Sequence, residues 1–310
     1  MDAKTTVVLG GGSGGIVAVN RLRENLPRGH REVLVDRRSE QSFAPSYPWV
    51  ALGSRRPEDI SRKLEVLQQK GIDFVQAEVT GINCHRQQVE TDGGSIGYDC
   101  LIIALGAEHH PGEIPGFSQE AYNIYELNGA LKLRDRLEDF SGGTVTVFIS
   151  RLPIKCEGAP YEISVLVHDH LTQKGMRDRV RLQVVTPEAR PALSLTDAVG
   201  RDILDMLRQR GIDFLLNHTV ASIKPGRLVL ADGTEILSDL LIGLSAHRGN
   251  PACQNGQLTN HEGWVDVDPM TMATKYENVW AIGDAAVIRL PGRAGMLPKN
   301  GALAHTCRVA

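Results

Sequence analysis

Four places in the sequence carry residues whose types and spacing could do chemistry. GGGSGG at 10–15 sets Gly10, Gly12 and Gly15 at GxGxxG spacing. Bare positions there permit a tight turn, the close approach of a pyrophosphate and a helix packed against its strand. Asp36 closes the next apolar run, REVLVD, where a carboxylate can accept hydrogen bonds from a ribose. Much later, YENVWAIGDAAVI ends an apolar run at Gly283 and Asp284. A carboxylate there can meet a ribityl hydroxyl while the following helix points its N-terminus at a flavin. The fourth place is Cys156, within KCEGAPYE at 155–162. Pro160 suits the first turn of a helix reading APYEISVLVHDHL, and that N-terminus, with Lys155, favours a thiolate while Glu157 opposes it. The alternative for Cys156 is a small apolar side chain in a core.

The elements that must position these residues follow from the hydrophobic pattern. TTVVLGGG is a strand running into glycines, SGGIVAVNRLREN has helical periodicity, and REVLVDRR is a second strand, so the first 36 residues predict a βαβ unit. The sequence also matches itself. GIDFVQAEVTGI from 71 recurs as GIDFLLNHTVASI from 211, Asp92-Gly93 recurs at 232 and 233, and YDCLIIALG recurs as SDLLIGLSA, all at one offset of 140 residues. The same offset sets TVTVFIS at 144–150 near the strand of Val7, which predicts two related units. The expected fold class is therefore α/β, with two Rossmann-like dinucleotide-binding domains, the second inserted into the first. The expected limits are 1–110 with 237–310 for the first and 111–236 for the second. The second unit runs from Ser150 through Arg151, Leu152, Pro153, Ile154 and Lys155, with no GxGxxG. A pyrophosphate would meet side chains there, so a nicotinamide dinucleotide is disfavoured as reductant.

Composition excludes several classes. The 310 residues exceed the usual single domain, and 42% hydrophobic with 23% charged residues is ordinary for a globular chain. A net charge of -3 leaves no basic field for nucleic acid. The longest apolar runs, at 100–107 and 239–246, fall well short of the roughly 18 residues of a spanning helix, so no transmembrane segment is expected. MDAKTTVVLGGG enters a strand and a glycine turn without a leader, which predicts a cytoplasmic protein. Five cysteines at irregular spacing, without a CxxC pair, suggest neither a disulfide framework nor zinc. Cys84 and Cys100 lie in strand-like runs and read as core, and Cys253 follows a loop proline without a supporting motif. The pairs His109, His110 and His168, His170 lack metal-ligand spacing and read as solvated or locally bonded, so no metal is expected.

These residues are similar to those of the two-dinucleotide-binding-domain flavoproteins, through GGGSGG, YDCLIIALG at 98–106 and NVWAIGDA at 278–285. Within that superfamily, the pyridine nucleotide-disulfide oxidoreductases, the chain resembles sulfide:quinone oxidoreductase, through FAPSYPWVALG at 43–53, KCEGAPYE and LPKNGALAH at 297–305. The resemblance implies an FAD enzyme that oxidises sulfide or another sulfur compound at a cysteine and passes two electrons through FAD to a quinone. It matches Gly10, Gly12, Gly15 and Asp36 to the pyrophosphate and ribose contacts, and Gly106, Gly283 and Asp284 to the two further FAD motifs. Lys299 and Gly301 match the PKxG run beside the flavin ring, and Cys156 matches the flavin-proximal catalytic cysteine.

The sequence departs from that family in one respect. The family's chemistry uses a second cysteine, and none here fills that role, Cys307 included. The chain stops at GALAHTCRVA inside a run that reads as helix, before the family's quinone pocket and amphipathic membrane contact. A piece of a longer protein, a damaged reading frame and a short relative with one active thiol are the three expectations for that ending. Two further functional expectations stand beside the leading one: a type II NAD(P)H:quinone-like dehydrogenase, and a non-catalytic FAD-binding remnant. Peripheral membrane association and a homodimer are compatible with the resemblance.

Overall fold

The structure is a computed structural model and describes residues 3–289 and 296–306. It divides into two compact units. One comprises the residues up to Gln41, Ser61–Glu108 and the chain from Arg248 onward; the other comprises Ser42–Ile60 and His109–His247.

The first unit is built on a five-stranded parallel sheet in the order Val279–Ala281, Cys100–Ile103, Thr5–Leu9, Arg31–Asp36, Asp73–Gln76. Its strands are apolar on both faces because both are covered. Val7, Leu9, Val33, Val35, Leu101 and Ile103 enter one core, while Val8, Leu34 and Ile102 enter the other. This is the two-residue alternation of a pleated strand, with each set buried on its own side. Helix Ser13–Asn25 connects the first two strands, and an antiparallel meander of Val79–Asn83, Gln88–Thr91 and Gly94–Gly97 follows the strand at 73–76.

The second unit repeats the plan. Its parallel sheet runs Tyr122–Asn123, Leu240–Leu244, Gly143–Ile149, Val180–Val185, Ile212–Leu215. Helix Ala159–Gln173 makes the first crossover, and the meander is Val220–Lys224, Arg227–Leu230 and Glu235–Leu237. The repeat extends to polar detail. Asp99 accepts the Thr5 N–H at 2.7 Å, as Asp239 accepts that of Thr144 at 2.7 Å. Arg31 pairs with Asp73 at 2.6 Å, as Arg181 pairs with Asp213 at 3.0 Å.

The units differ from the expected limits at two substantial places. Residues 237–247, expected within the first unit, belong to the second, where strand Leu240–Leu244 pairs with Gly143–Ile149. Residues 42–60, also expected within the first unit, belong to the second, where Tyr47 and Ala51 of helix Tyr47–Ala51 join the core with Ala130, Leu133 and Leu137 of helix Leu127–Glu138. A short apolar helix can leave one unit and return within twenty residues without any signal in its own periodicity.

Candidate functional site

In the first unit the three fingerprint glycines do different work. A Cβ on Gly15 would stand 1.8 Å from the Gly10 carbonyl oxygen, and one on Gly10 would stand 2.3 Å from that of Ala104. Both positions are therefore closed by backbone, and Gly10 also needs its φ of +100°. Gly12 is the opposite case: no atom lies within 4 Å of its Cβ position, in front of helix Ser13–Asn25. That open side, with the first N–H groups of the helix behind it, is where a pyrophosphate can approach.

Asp36 is the last residue of its strand and is buried. Its Oδ2 accepts the Gly11 N–H at 2.6 Å, and its Oδ1 accepts the Arg38 N–H at 2.8 Å. Burial pushes this carboxyl up, but the Arg38 guanidinium and the two N–H bonds outweigh it, so Asp36 ionises below the usual carboxylate range. A ribose hydroxyl that reaches Asp36 meets the Arg38 side chain there, which is 54% exposed. Gly106, at φ +71°, has open space around its Cβ position.

The second half of this site is braced by a buried lysine. Gly283, at φ +63°, and Asp284 form a short turn, Gly283–Ala285, after strand Val279–Ala281. Lys299 Nζ donates to the carbonyls of Asp284 at 2.8 Å and Ala286 at 2.7 Å, and lies 3.9 Å from the centre of the Trp264 ring. Burial lowers its pKa to about 8, against the Asp284 charge, which favours the ammonium. Gly301 opens helix Gly301–Thr306, which packs on the glycine helix through Ala304, close to Gly14 and Gly283. The residues of this unit thus fit a flavin dinucleotide: an open N–H cradle, an acid on the second strand and a GD turn held in place.

The second unit has side chains where the first has bare backbone. After strand Gly143–Ile149, the Ser150 hydroxyl accepts the Ala246 N–H at 3.1 Å, Arg151 bonds to the Ser150 and Val220 carbonyls, and Ile154 is buried. Cys156 follows at φ +54°, a left-handed conformation rare outside glycine, three residues before helix Ala159–Gln173. Its carbonyl accepts the Ala159 N–H at 2.8 Å. Glu157, expected to oppose a thiolate, is bound instead to Ser194, through its N–H at 2.9 Å and its hydroxyl at 2.7 Å. On the other flank, Lys155 Nζ lies 3.1 Å from His109 Nε2, and the Lys155 carbonyl accepts from Tyr125 at 2.6 Å. His109 therefore stands beside the thiol turn, packed on Tyr125 and His247, and its hydrogen bond to Glu126 is the largest cause of that carboxyl's lowered pKa.

The other described cysteines are poor nucleophiles. Burial pushes the thiols of Cys84 and Cys100 up and that of Cys253 up to about 12, so each stays protonated at neutral pH. Cys307 lies outside the described residues.

One acid escaped the sequence reading. Glu188 lies just beyond strand Val180–Val185, the counterpart of the strand that ends at Asp36, and is fully buried. It receives the Tyr161 hydroxyl and, at 2.9 Å, that of Thr186. Burial pushes its carboxyl up. In this unit the acid is thus closed off by a tyrosine from the crossover helix. The signal for it was its place after the second strand of a repeat already recognised.

A sequence profile of the pyridine nucleotide-disulphide oxidoreductases matches residues 4–307. The chain belongs to this family. Within it, the chain is similar to the sulfide-quinone reductase of Aquifex aeolicus, at 30% identity over 236 residues, which is 74% of this chain and 54% of the relative. The chain thus spans about half the length of that curated relative. The solved structure of the sulfide:quinone oxidoreductase from the same organism superposes with a TM-score of 0.88 at 26% identity, over 98% of this chain and 74% of that one. A type II NADH:quinone oxidoreductase of Staphylococcus aureus is 24% identical over 320 residues, covering 98% of this chain and 79% of the relative. Members of this family are flavoproteins, and the two halves of the first unit's site agree with that.

Proposed function

We propose that this flavoprotein is an FAD-dependent oxidoreductase of the sulfide:quinone type, in which Cys156 forms a bond to the sulfur of sulfide. The observation that carries the reading is the thiol turn. The segment that replaces the second glycine fingerprint presents a cysteine in a strained left-handed conformation, within the KCEGAPYE run, at the start of a helix. The similarity to the sulfide-quinone reductase of Aquifex aeolicus, in sequence and in the solved structure from that organism, supports it.

FAD would be held by Gly10, Gly12, Gly15 and Asp36 at its dinucleotide end, and by Gly106, Gly283, Asp284, Lys299 and Gly301 toward its ring. Cys156 supplies the attacking thiolate, favoured by the helix N-terminus and by the neighbouring Lys155 ammonium. Thiolate and hydrosulfide join as a persulfide, which releases two electrons and one proton. FAD held by the residues above would supply the two-electron acceptor for this step, with a quinone as the final acceptor. Lys299 keeps the Asp284 turn in the shape the cofactor needs.

The similarity to type II NADH:quinone oxidoreductases keeps a second reading in view. It requires a nicotinamide dinucleotide in the second unit, where Ser150, Arg151 and Ile154 stand in place of glycines and Tyr161 covers Glu188. The test is anaerobic reduction of the FAD-loaded protein, followed by loss of the yellow flavin absorption. Sulfide should bleach it and NADH should do so slowly or not at all. Rapid bleaching by micromolar NADH would transfer the function to the dehydrogenase reading.

A further inference from the structure

Both neighbours of Cys156 are pinned by side chains from distant parts of the second unit. Before it, the Tyr125 hydroxyl donates to the Lys155 carbonyl at 2.6 Å, and the Lys155 N–H meets His247 Nδ1 at 3.4 Å. After it, Glu157 Oε2 takes both hydrogen bonds of Ser194. Cys156 holds φ +54° between these pins. A non-glycine residue persists in that region only where its surroundings over-determine it. Here the surroundings do so from both sides.

Ser194 is itself presented by a built loop. The Arg190 guanidinium gathers the carbonyls of Ala192 at 3.0 Å, Leu193 at 3.0 Å and Leu195 at 2.8 Å, and pairs with Asp197 at 2.8 Å in the first turn of helix Asp197–Gln209. At the loop's other end, Glu188 is bonded to Tyr161, five residues after the thiol. The loop from 188 to 197 therefore grips the thiol turn at two points, Glu157 and Tyr161.

We propose that Ser194 is a positioning residue for Cys156. Its paired hydrogen bonds keep the Glu157 charge engaged on Ser194 and hold the turn in its left-handed form. The proposal rests on Cys156 being the reactive thiol and says what sets its reactivity. The charged and titratable groups around the turn are Lys155 and Glu157 within it, Tyr161 and Glu162 on the helix that follows, Glu188 and Arg190 on the loop that grips it, and Tyr125, His109 and His247 around Lys155.

The experiment is the rate of Cys156 alkylation by iodoacetamide as a function of pH, resolved by site with mass spectrometry on FAD-loaded protein. Ser194→Ala removes the hydroxyl and leaves the backbone N–H, so the Glu157 carboxylate is held by one bond in place of two and the midpoint should rise, by up to about half a pH unit, the order of one solvated charge at contact range. The plateau rate should fall severalfold, and Ser194→Thr, which keeps both donors, should restore it. Glu157→Gln removes the charge that Ser194 holds, so its plateau and midpoint should stay close to the parent's, and in that background Ser194→Ala should no longer raise the midpoint. A merely structural latch would leave the Ser194→Ala midpoint unmoved. A parent-like midpoint in Ser194→Ala would overturn the proposal, as would a rise that persists in the Glu157→Gln background or a Cys156 that resists the reagent. If Ser194→Ala melts early, Glu157→Asp, which keeps the charge on a side chain one methylene shorter, decides in its place, with the same rise expected and an unmoved midpoint overturning the proposal. Sulfide turnover is not the readout, so a Cys156→Ser protein that still oxidises sulfide would defeat the functional reading without touching this result.

Discussion

Gly12 and Gly15, three residues apart, should respond to substitution in opposite ways. A Cβ on Gly15 starts 1.8 Å from the Gly10 oxygen and must reach at least 3.0 Å, so the glycine helix and the turn must part by more than 1 Å. Overpacking of this kind costs ~3 kcal/mol, at the upper end of the usual range because the obstacle is backbone. For a unit of this size that is a fall in Tm on the order of 10 °C. Gly12, in contrast, sits at φ −80° and ψ −172°, which any residue adopts, with no atom within 4 Å of its Cβ position. Gly12→Val should therefore leave the apoprotein's Tm nearly unchanged, while its side chain fills the space a pyrophosphate needs. Losing two N–H bonds to a charged phosphate, each worth about 1.5–3 kcal/mol, weakens binding by roughly a hundredfold or more. Scanning calorimetry of the apoproteins and FAD titration by quenching of flavin fluorescence measure both quantities. The reasoning fails if Gly12→Val binds FAD like the parent, or if Gly15→Ala is as stable as the parent.

Lys299, with a pKa lowered to about 8 from an ordinary 10.5, binds fewer protons folded than unfolded between those values. Stability from this group therefore rises with pH across that window. Relative to Lys299→Met, the parent apoprotein should gain about 3 kcal/mol from pH 8 to 10.5, and a flat difference would show that the ammonium is not buried as described. Tyr161→Phe should cost about 1–3 kcal/mol at neutral pH, because the buried Glu188 carboxyl loses a donor. Burial already raises the Glu188 pKa, so the folded state holds its proton to higher pH than the unfolded state and its stability falls as pH rises through that range. Denaturant titration should thus find a smaller cost for Tyr161→Phe in mildly acidic buffer, and an equal cost at both pH values would argue against a carboxylate as the partner.

The repeat offset made most of the fold legible. Strands, crossover helices and meanders fall where the paired segments place them, because each strand's alternation is fixed by two buried faces and each glycine by a turn. The fingerprint could be read as chemistry, but the division of labour among Gly10, Gly12 and Gly15 needed the distances to the backbone behind them. Asp36 could be placed on its strand, but not its bonds to Gly11 and Arg38. The rest was hidden because it depends on contacts between residues far apart in the chain. The helix at 47–51 carries no sign of which core it joins, and nothing local to Cys156 predicts a positive φ imposed by Tyr125 and Ser194. The Glu157 charge looked adverse from adjacency alone, and its partner lies 37 residues away.

The central claim is that sulfur chemistry runs through one thiol, and the most direct measurement is anaerobic flavin reduction by sulfide in the parent and in Cys156→Ser, compared at equal FAD content. Cys156 and the proposed FAD contacts belong to different units, so the variant should keep its flavin. A serine hydroxyl does not ionise in this range and forms no bond to sulfide sulfur. The account predicts full FAD occupancy in both proteins, with sulfide-driven bleaching in the parent and loss of it in Cys156→Ser. A Cys156→Ser protein whose flavin is bleached by sulfide at the parent's rate would contradict it.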